Sequence, residues 1–393
     1  MVAAPARFSD LPDYAFPRLR KLLDVHAPGG DPIAMSIGEP THPMPPFVGE
    51  VLARNLQGFA NYPVNEGTPE LLGAISAWLA RRYDVEVAPD RLLALNGTRE
   101  GLYNVAMALC PESKNGQRPV VLIPNPFYQV YMVAALSVGA EPVFVPATAE
   151  AGHLPDYASL PEEVLDRTAM AYVCSPSNPQ GAVADRAYWT SLLALAEKHD
   201  FLVLADECYS EVYRDAPPDG VLAAAKAAGA DTERVLAFHS LSKRSNLAGL
   251  RSGFVAAGPR ATARMRQLRN YAGAPLPLPL QQVAAQAWAD EAHVAASRAL
   301  YQEKYLIADD VLGAVPGYTP PQAGFFLWLP VPDGEEATVH LWREAGVRVL
   351  PGAYLAKDAG QGNPGQGFIR VALVANSDEV RQGLSLIRDV LYR

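Results

Sequence analysis

The stretch RVLAFHSLSKRSNLAGLRSGFVAAG, residues 234–258, places two serines, a lysine and an arginine between two apolar runs that read as buried strands. A lysine at the edge of a core is costly unless something pairs with it or uses it. Working outward from Lys243, five more apolar runs share the pattern of its flanks. RLLAL (91–95), PVVLIP (119–124), EPVFVP (141–146), AMAYVCS (169–175) and FLVLADE (201–207) precede RVLAFHS (234–240), and SGFVAAG (252–258) follows it. After the first run, Leu102, Val105, Ala106 and Leu109 recur at helical spacing, and Trp189, Leu192, Leu193 and Ala196 do so between AMAYVCS and FLVLADE. Strands that are apolar throughout and separated by helices predict a mostly parallel sheet sandwiched by helices, an α/β fold.

From about residue 286 the pattern changes to a long helix, AGFFLWLPV (323–331), a helix to about 345, VRVLPG (347–352), a Gly-rich loop and GFIRVALV (367–374). That pattern predicts a smaller α+β domain. The first 45 residues are too proline-rich to stand alone and are expected to pack on that domain or cap a cleft. The expected division is therefore 1–45, a large domain 46–285 and a small domain 286–393.

The chain has 393 residues, enough for two or three domains at a prior of roughly 150 residues each. With 49% hydrophobic and 19% charged residues it has the composition of an ordinary globular protein. A net charge of -9 argues against a nucleic-acid binder and against an anionic membrane surface. Small molecules or a second copy of the chain are the expected partners. Cys110, Cys174 and Cys208 are odd in number and widely spaced, which indicates neither a disulfide framework nor a metal site and fits a reducing cytoplasm. No run approaches the ~18 apolar residues of a membrane helix, and the first 23 residues lack the apolar core of a signal peptide.

In a parallel α/β sheet, ligands bind beyond the carboxyl ends of the strands. RLLAL leads into NGTREG, where Gly97 and Thr98 open a helix whose free N–H groups favour an anion, although Thr98 as a plain N-cap explains the turn equally well. VVLIP leads into NPFYQVY, where Tyr128 can stack on a flat ring or fill core. AMAYVCS leads into PSNPQG, with Asn178 between two prolines, and FLVLA leads into Asp206, Glu207, Cys208 and Tyr209. Each feature alone has an ordinary explanation as a turn, a cap or packing. With Ser240, Ser242 and Lys243 after RVLAFH, five strand ends together describe a pocket for a flat, cationic heteroaromatic that bears a phosphate and an aldehyde, pyridoxal 5'-phosphate.

In that pocket Lys243 is expected to link covalently to the aldehyde and, once displaced, to move the substrate Cα proton. Ser240, Ser242 and Arg251 are expected to bind the phosphate, with both serines on one side of an extended stretch. Asp206 is expected to pair with the ring nitrogen, and Asn178 and Tyr209 to hydrogen-bond the ring hydroxyl oxygen.

SIGEP (36–40), NYPVNEGTPELLGAI (61–75), NGTREGL, NPFYQVY, SPSNPQG, ADECY, SLSKRSNLAGLRSGF and GFIRVAL occur together in the order and spacing of one family. On these motifs the chain resembles the fold-type I, class I/II aminotransferases from about Tyr14 to its end. The resemblance implies a homodimer in which Tyr62 reaches the phosphate of the neighbouring subunit's cofactor. It also implies that Arg370 grips the substrate α-carboxylate, that the Gly38 backbone meets the same group, and that the N-terminal segment folds over the site. Arg99 departs from the smaller or neutral residue common in the phosphate turn, which leaves it open to cofactor, substrate or solvent.

Within the family, CSPSNPQGAV, ADECYSEVY and FHSLSKRSNLAGLRSGFVA are most similar to the N-succinyldiaminopimelate branch. That likeness implies ping-pong exchange of an amino group between glutamate and an acylated 2-oxo acid of lysine biosynthesis. Arg99, Arg244, Arg18 and Arg20 are the candidate partners of the distal carboxylates. N-acetylornithine, aspartate and aromatic amino acids remain alternative substrates, as does a lyase outcome on the same cofactor. GQGNPG (360–365) matches a dinucleotide fingerprint but lacks the strand–helix context the motif needs. A cofactor-sensing regulator is disfavoured, because the chain has no room for a basic DNA-binding module.

Overall fold

The alternating apolar positions of the sequence sort onto two faces of one sheet in the computed structural model, which describes residues 5–9, 11, 13–360 and 362–393. After a two-residue strand β1 (Ile33–Ala34), the sheet is built from β2 (Leu92–Leu95), β3 (Val120–Asn125), β4 (Glu141–Pro146), β5 (Thr168–Cys174), β6 (Leu202–Asp206), β7 (Val235–Ser240) and β8 (Gly253–Ala256). Their order is β2-β8-β7-β6-β5-β3-β4. The neighbours from β7 through β4 pair parallel, while β8 runs antiparallel to both β7 and β2. The chain passes from β3 outward to β4 and then returns to β5 on the other side of β3. A crevice opens beyond the carboxyl ends of the strands at such a reversal.

Leu93, Leu95, Val121, Ile123, Tyr172, Leu204 and Leu236 pack on one face with Leu102, Val105 and Ala106 of the Thr98–Leu109 helix. Leu92, Ala94, Val120, Leu122, Val173 and Val203 pack on the other with Trp189, Leu192, Leu193 and Ala196 of the Arg186–His199 helix. Both faces are dry, which is why the strands read as continuous apolar runs. Each fully buried aliphatic side chain contributes about 1.5–3 kcal/mol relative to exposure. The period of two also sends Asp206 and Ser240 to the face of the Thr98–Leu109 helix.

A second core holds Tyr305, Ala308 and Leu312 of the Ala292–Leu312 helix against the sheet β11-β12-β9, formed by β9 (Phe326–Pro330), β11 (Leu350–Pro351) and β12 (Phe368–Ala372). The strand β10 (Val347–Arg348) pairs parallel with β1, so the chain near residue 33 is stitched into this part. The preceding helix Leu278–Ala289 instead packs in the first core through Ala284, Ala287 and Trp288. Near the N-terminus, Ala15, Leu19 and Leu23 lie on one helical face and cluster with Trp342, Leu350 and Tyr354. Among the described residues no helix is long and apolar enough to cross a membrane.

Candidate active site

A cleft of about 300 Å³ opens at the carboxyl ends of the parallel strands, between the two cores. Thr98 and Arg99 of its lining follow the Asn96–Gly97 turn after β2. Gly97 has φ +76, and a Cβ there would lie 2.3 Å from Nη2 of Arg251, so the turn admits only glycine. Gly97 is the N-cap of the Thr98–Leu109 helix and no side chain caps it, which leaves the first-turn N–H groups free for an anion. Thr98 is the first helical residue and not the cap; its Oγ1 lies 3.0 Å from Sγ of Cys208.

Ser240 ends β7 and caps the one-turn Leu241–Arg244 helix, its Oγ accepting from the Ser242 N–H at 3.1 Å. The expected extended stretch through Ser242 is therefore replaced by a helical turn. The two hydroxyls still meet, with Oγ to Oγ at 3.0 Å, because capping brings residues i and i+2 together. Arg251 adopts the left-handed region at φ 56 and donates to the carbonyls of Ala248 at 2.9 Å and Asn96 at 3.3 Å. It has no carboxylate partner among the described residues. Ser240, Ser242, Thr98 and Arg251 all line the cleft beside the free helix terminus.

Asp206, the last residue of β6, is buried and accepts from the Tyr131 hydroxyl at 2.6 Å and more weakly from the Cys208 N–H at 3.4 Å. Burial pushes its carboxyl pKa up, and these hydrogen bonds oppose that rise. No basic side chain among the described residues forms an ion pair with it, so the pocket offers a buried carboxylate to a cation from outside. Tyr131 was not singled out from the sequence. It lies three residues beyond Tyr128 on the Gln129–Ser137 helix segment, a spacing that puts both rings toward one side. Tyr128 stands edge-on to it at 5.7 Å, and Tyr209 packs edge-on against Phe325 and Phe326 at 5.3 and 5.9 Å.

Lys243 opens onto the cleft and donates from Nζ to the Gly38 carbonyl at 2.5 Å. Burial pushes its pKa down from 10.5 to about 8, with the positive charges of Arg370 and Arg251 adding to the fall. Arg370, on β12, is 4% exposed and donates to Asn178 Oδ1 at 3.0 Å and to the Ser36 carbonyl at 2.8 Å. Its guanidinium lies 4.1 Å over the Phe326 ring, and burial lowers its pKa to about 10. Gly38 passes so close to Phe326 that a Cβ would sit 2.3 Å from ring atom Cζ.

Of the four arginines considered for an outer carboxylate, Arg99 alone lines the cleft, where its Nε donates to the Tyr128 hydroxyl at 2.7 Å. Arg244 is 3% exposed and committed to Glu291 at 2.8 Å and the Ala287 carbonyl at 2.6 Å. Arg18 pairs with Glu335 at 2.6 Å and lies over Tyr354, and Arg20 is exposed away from the cleft. Tyr62 is also outside the cleft of its own chain, with its side chain fully exposed.

The lining thus carries Arg99, Lys243, Arg251 and Arg370 against Glu39 and Asp206, an excess of positive charge in an acidic protein. A free helix N-terminus, two hydroxyls and an uncommitted arginine suit a phosphate. The lone buried carboxylate suits a protonated ring nitrogen, and the amine of depressed pKa suits an aldehyde. The residues present therefore fit pyridoxal 5'-phosphate.

Comparison with known proteins agrees with this donor set. Residues 30–386 match the family described as aminotransferase class I and II. An LL-diaminopimelate aminotransferase of Desulforudis audaxviator is 32% identical over 98% of this chain and 97% of its own. The crystal structure of an aminotransferase from Neisseria meningitidis superposes with a TM-score of 0.94 at 39% identity, covering 99% of this chain and 100% of that one. A probable N-succinyldiaminopimelate aminotransferase from Thermus thermophilus gives a TM-score of 0.83 at 28% identity, covering 96% of this chain and 98% of that one.

Proposed function

The chain belongs to the class I and II aminotransferases, whose cofactor is pyridoxal 5'-phosphate, and from that premise we propose that it transfers an amino group between glutamate and the 2-oxo form of N-succinyl-L,L-diaminopimelate in lysine biosynthesis. The reading rests chiefly on Arg99. It is a cleft-lining cation with no carboxylate partner among the described residues, carried on a different element from Arg370. Two separately placed guanidiniums suit a substrate with carboxylates at both ends.

When bound, the cofactor supplies an aldehyde to receive nitrogen and a ring that withdraws the electrons released at Cα. Ser240, Ser242, Arg251 and the first-turn N–H groups at Thr98 and Arg99 would hold its phosphate. Asp206, fixed by Tyr131, would pair with the ring nitrogen and keep it protonated; Asn178 and Tyr209 would hydrogen-bond the ring hydroxyl oxygen, and Tyr128 would pack against the ring. Arg370 binds the substrate α-carboxylate together with Asn178 and the Gly38 backbone. Lys243 takes the Cα proton on Nζ and returns it in the opposite half-reaction, a role suited to an amine with a pKa near the working pH.

Residues 46–285 hold the cofactor, residues 286–393 supply Arg370, and residues 1–45 close the cleft through Tyr14, Ala15 and Phe16. The fully exposed Tyr62 completes the phosphate site of a second copy in a cytoplasmic homodimer.

A second reading is transfer from free LL-diaminopimelate, the reaction named for relatives about 30% identical to this chain. Glu39, a carboxylate at the cleft, offers a partner for the distal ammonium of that substrate. Cofactor-loaded protein is mixed separately with N-succinyl-L,L-diaminopimelate, free LL-diaminopimelate, N-acetylornithine, glutamate and an aromatic amino acid, and the fall of cofactor absorbance is timed. Fast reaction of the succinyl compound and glutamate is expected. Preference for the free diamine or another donor replaces the substrate and leaves the aminotransferase assignment intact.

A further inference from the structure

Lys304, on the Ala292–Leu312 helix, is 1% exposed and has no carboxylate within ion-pair distance among the described residues. A buried ammonium in that position is expensive, and an apolar side chain of similar length would fill the space without the cost. Its Nζ donates to His42 Nε2 at 2.6 Å and to the Val374 carbonyl at 3.2 Å, and it lies over the Tyr301 ring at 5.2 Å. The Thr41 hydroxyl donates to the same Val374 carbonyl. The His42 ring packs against Tyr301 at 4.5 Å, and Tyr301 stacks on Phe325 at 5.4 Å. Burial, aided by the Lys304 charge, pushes His42 down to about 4, so at neutral pH the imidazole can accept the lysine proton in a hydrogen bond.

These contacts all fall at one end of a single short segment. Residues 36–42 cross the cleft with the Ser36 carbonyl on Arg370 and the Gly38 carbonyl on Lys243. The segment therefore touches both of those cleft cations, and its far end is fastened by Thr41 and His42. We propose that Lys304 and His42 form a clasp that holds residues 36–42 at the height where the Gly38 backbone meets the substrate α-carboxylate, making Lys304 a positioning residue. The inference rests on the proposed contact of Gly38 with that carboxylate.

The test compares Lys304→Met, His42→Leu and His42→Gln in the full-length, cofactor-loaded protein. Amide hydrogen exchange across residues 33–42 is read alongside KM and kcat for glutamate and 2-oxoglutarate. In Lys304→Met and His42→Leu, exchange in this segment should rise about tenfold while the Ala292–Leu312 helix stays protected. KM for both substrates should rise about 5- to 20-fold together, because both carry the same α-carboxylate, with kcat within twofold of the parent. His42→Gln keeps an acceptor for Lys304 and should restore both readouts. A merely structural lysine would lower the melting temperature and the active fraction without a shared rise in KM. If Lys304→Met does not fold, His42→Leu decides alone. Unchanged exchange overturns the clasp; faster exchange with unchanged KM overturns its action on substrate and the reading of Gly38 with it.

Discussion

The half of the cleft around Asp206, Ser240 and Thr98 is made from residues at or just beyond the ends of strands of one sheet, whereas the half around Arg370 joins Ser36, Gly38, Asn178 and Phe326 from distant stretches of chain. In the first half, each polar residue is delivered by a local strand-to-turn motif, so its position follows from hydrophobic pattern alone. In the second half, position depends on how the two cores meet, with Arg370 and Ser36 separated by 334 residues. Lys243 stands where they join, carried by the first half and bonded to Gly38 of the second. Removing it should therefore disable both. Lys243→Ala is expected to lose covalent attachment of the cofactor and at least ~10³-fold in turnover, within the range of a lost general base. Retention of the bound-cofactor absorbance together with activity would move the catalytic amine elsewhere.

Arg370→Ala tests the second half by itself. Truncating one member of a buried charge pair costs about 2–5 kcal/mol, or roughly 30- to 4000-fold. The loss should appear in kcat/KM for every amino acid and every 2-oxo acid alike, while cofactor retention stays at the parental level. A loss restricted to one substrate would place Arg370 on the side chain instead.

The contrast also explains what was legible in the sequence. The α/β class, the parallel strands and the lining residues Thr98, Tyr128, Asn178, Asp206 and Lys243 all follow from apolar runs and what comes after them. Arg370 and Gly38 entered through family resemblance, since nothing local marks an arginine within a strand or a glycine in SIGEP as substrate-facing. Tyr131 escaped notice because its contact is across the sheet face, 75 residues from Asp206. Ser242 was placed on an extended run because a one-turn helix is too short for any periodicity to register. Lys304 and His42 are 262 residues apart and carry no motif, so packing alone reveals them.

Arg99 belongs to the first half by position and to the second by proposed task. Its Ala variant should leave cofactor binding and reaction with alanine near the parental level. Reaction with glutamate and the succinyl substrate should fall by the value of a hydrogen bond to a charged group, about 1.5–3 kcal/mol, or roughly 10- to 150-fold. An equal fall for alanine would assign the guanidinium to the cofactor instead of the distal carboxylate.

A smaller effect probes the junction through pH. The Lys243 amine loses its proton near 8 rather than 10.5, because burial and the neighbouring arginines disfavour the ammonium. Only the neutral amine attacks an aldehyde, so recombination of cofactor-free protein with pyridoxal phosphate should speed up as pH rises toward 8 and level off above it. About a tenth of the amine is neutral at pH 7 and about nine tenths at pH 9, which gives a roughly tenfold rise over that interval. An ordinary lysine would be neutral in about one part in three thousand at pH 7 and would keep gaining through pH 10. Arg370→Ala removes one of the charges that depress the amine, so the plateau should move to higher pH in that variant. A plateau that stays in place would mean that burial and Arg251 set the amine without Arg370, and that the two halves of the cleft are joined by the Gly38 hydrogen bond without an electrostatic link.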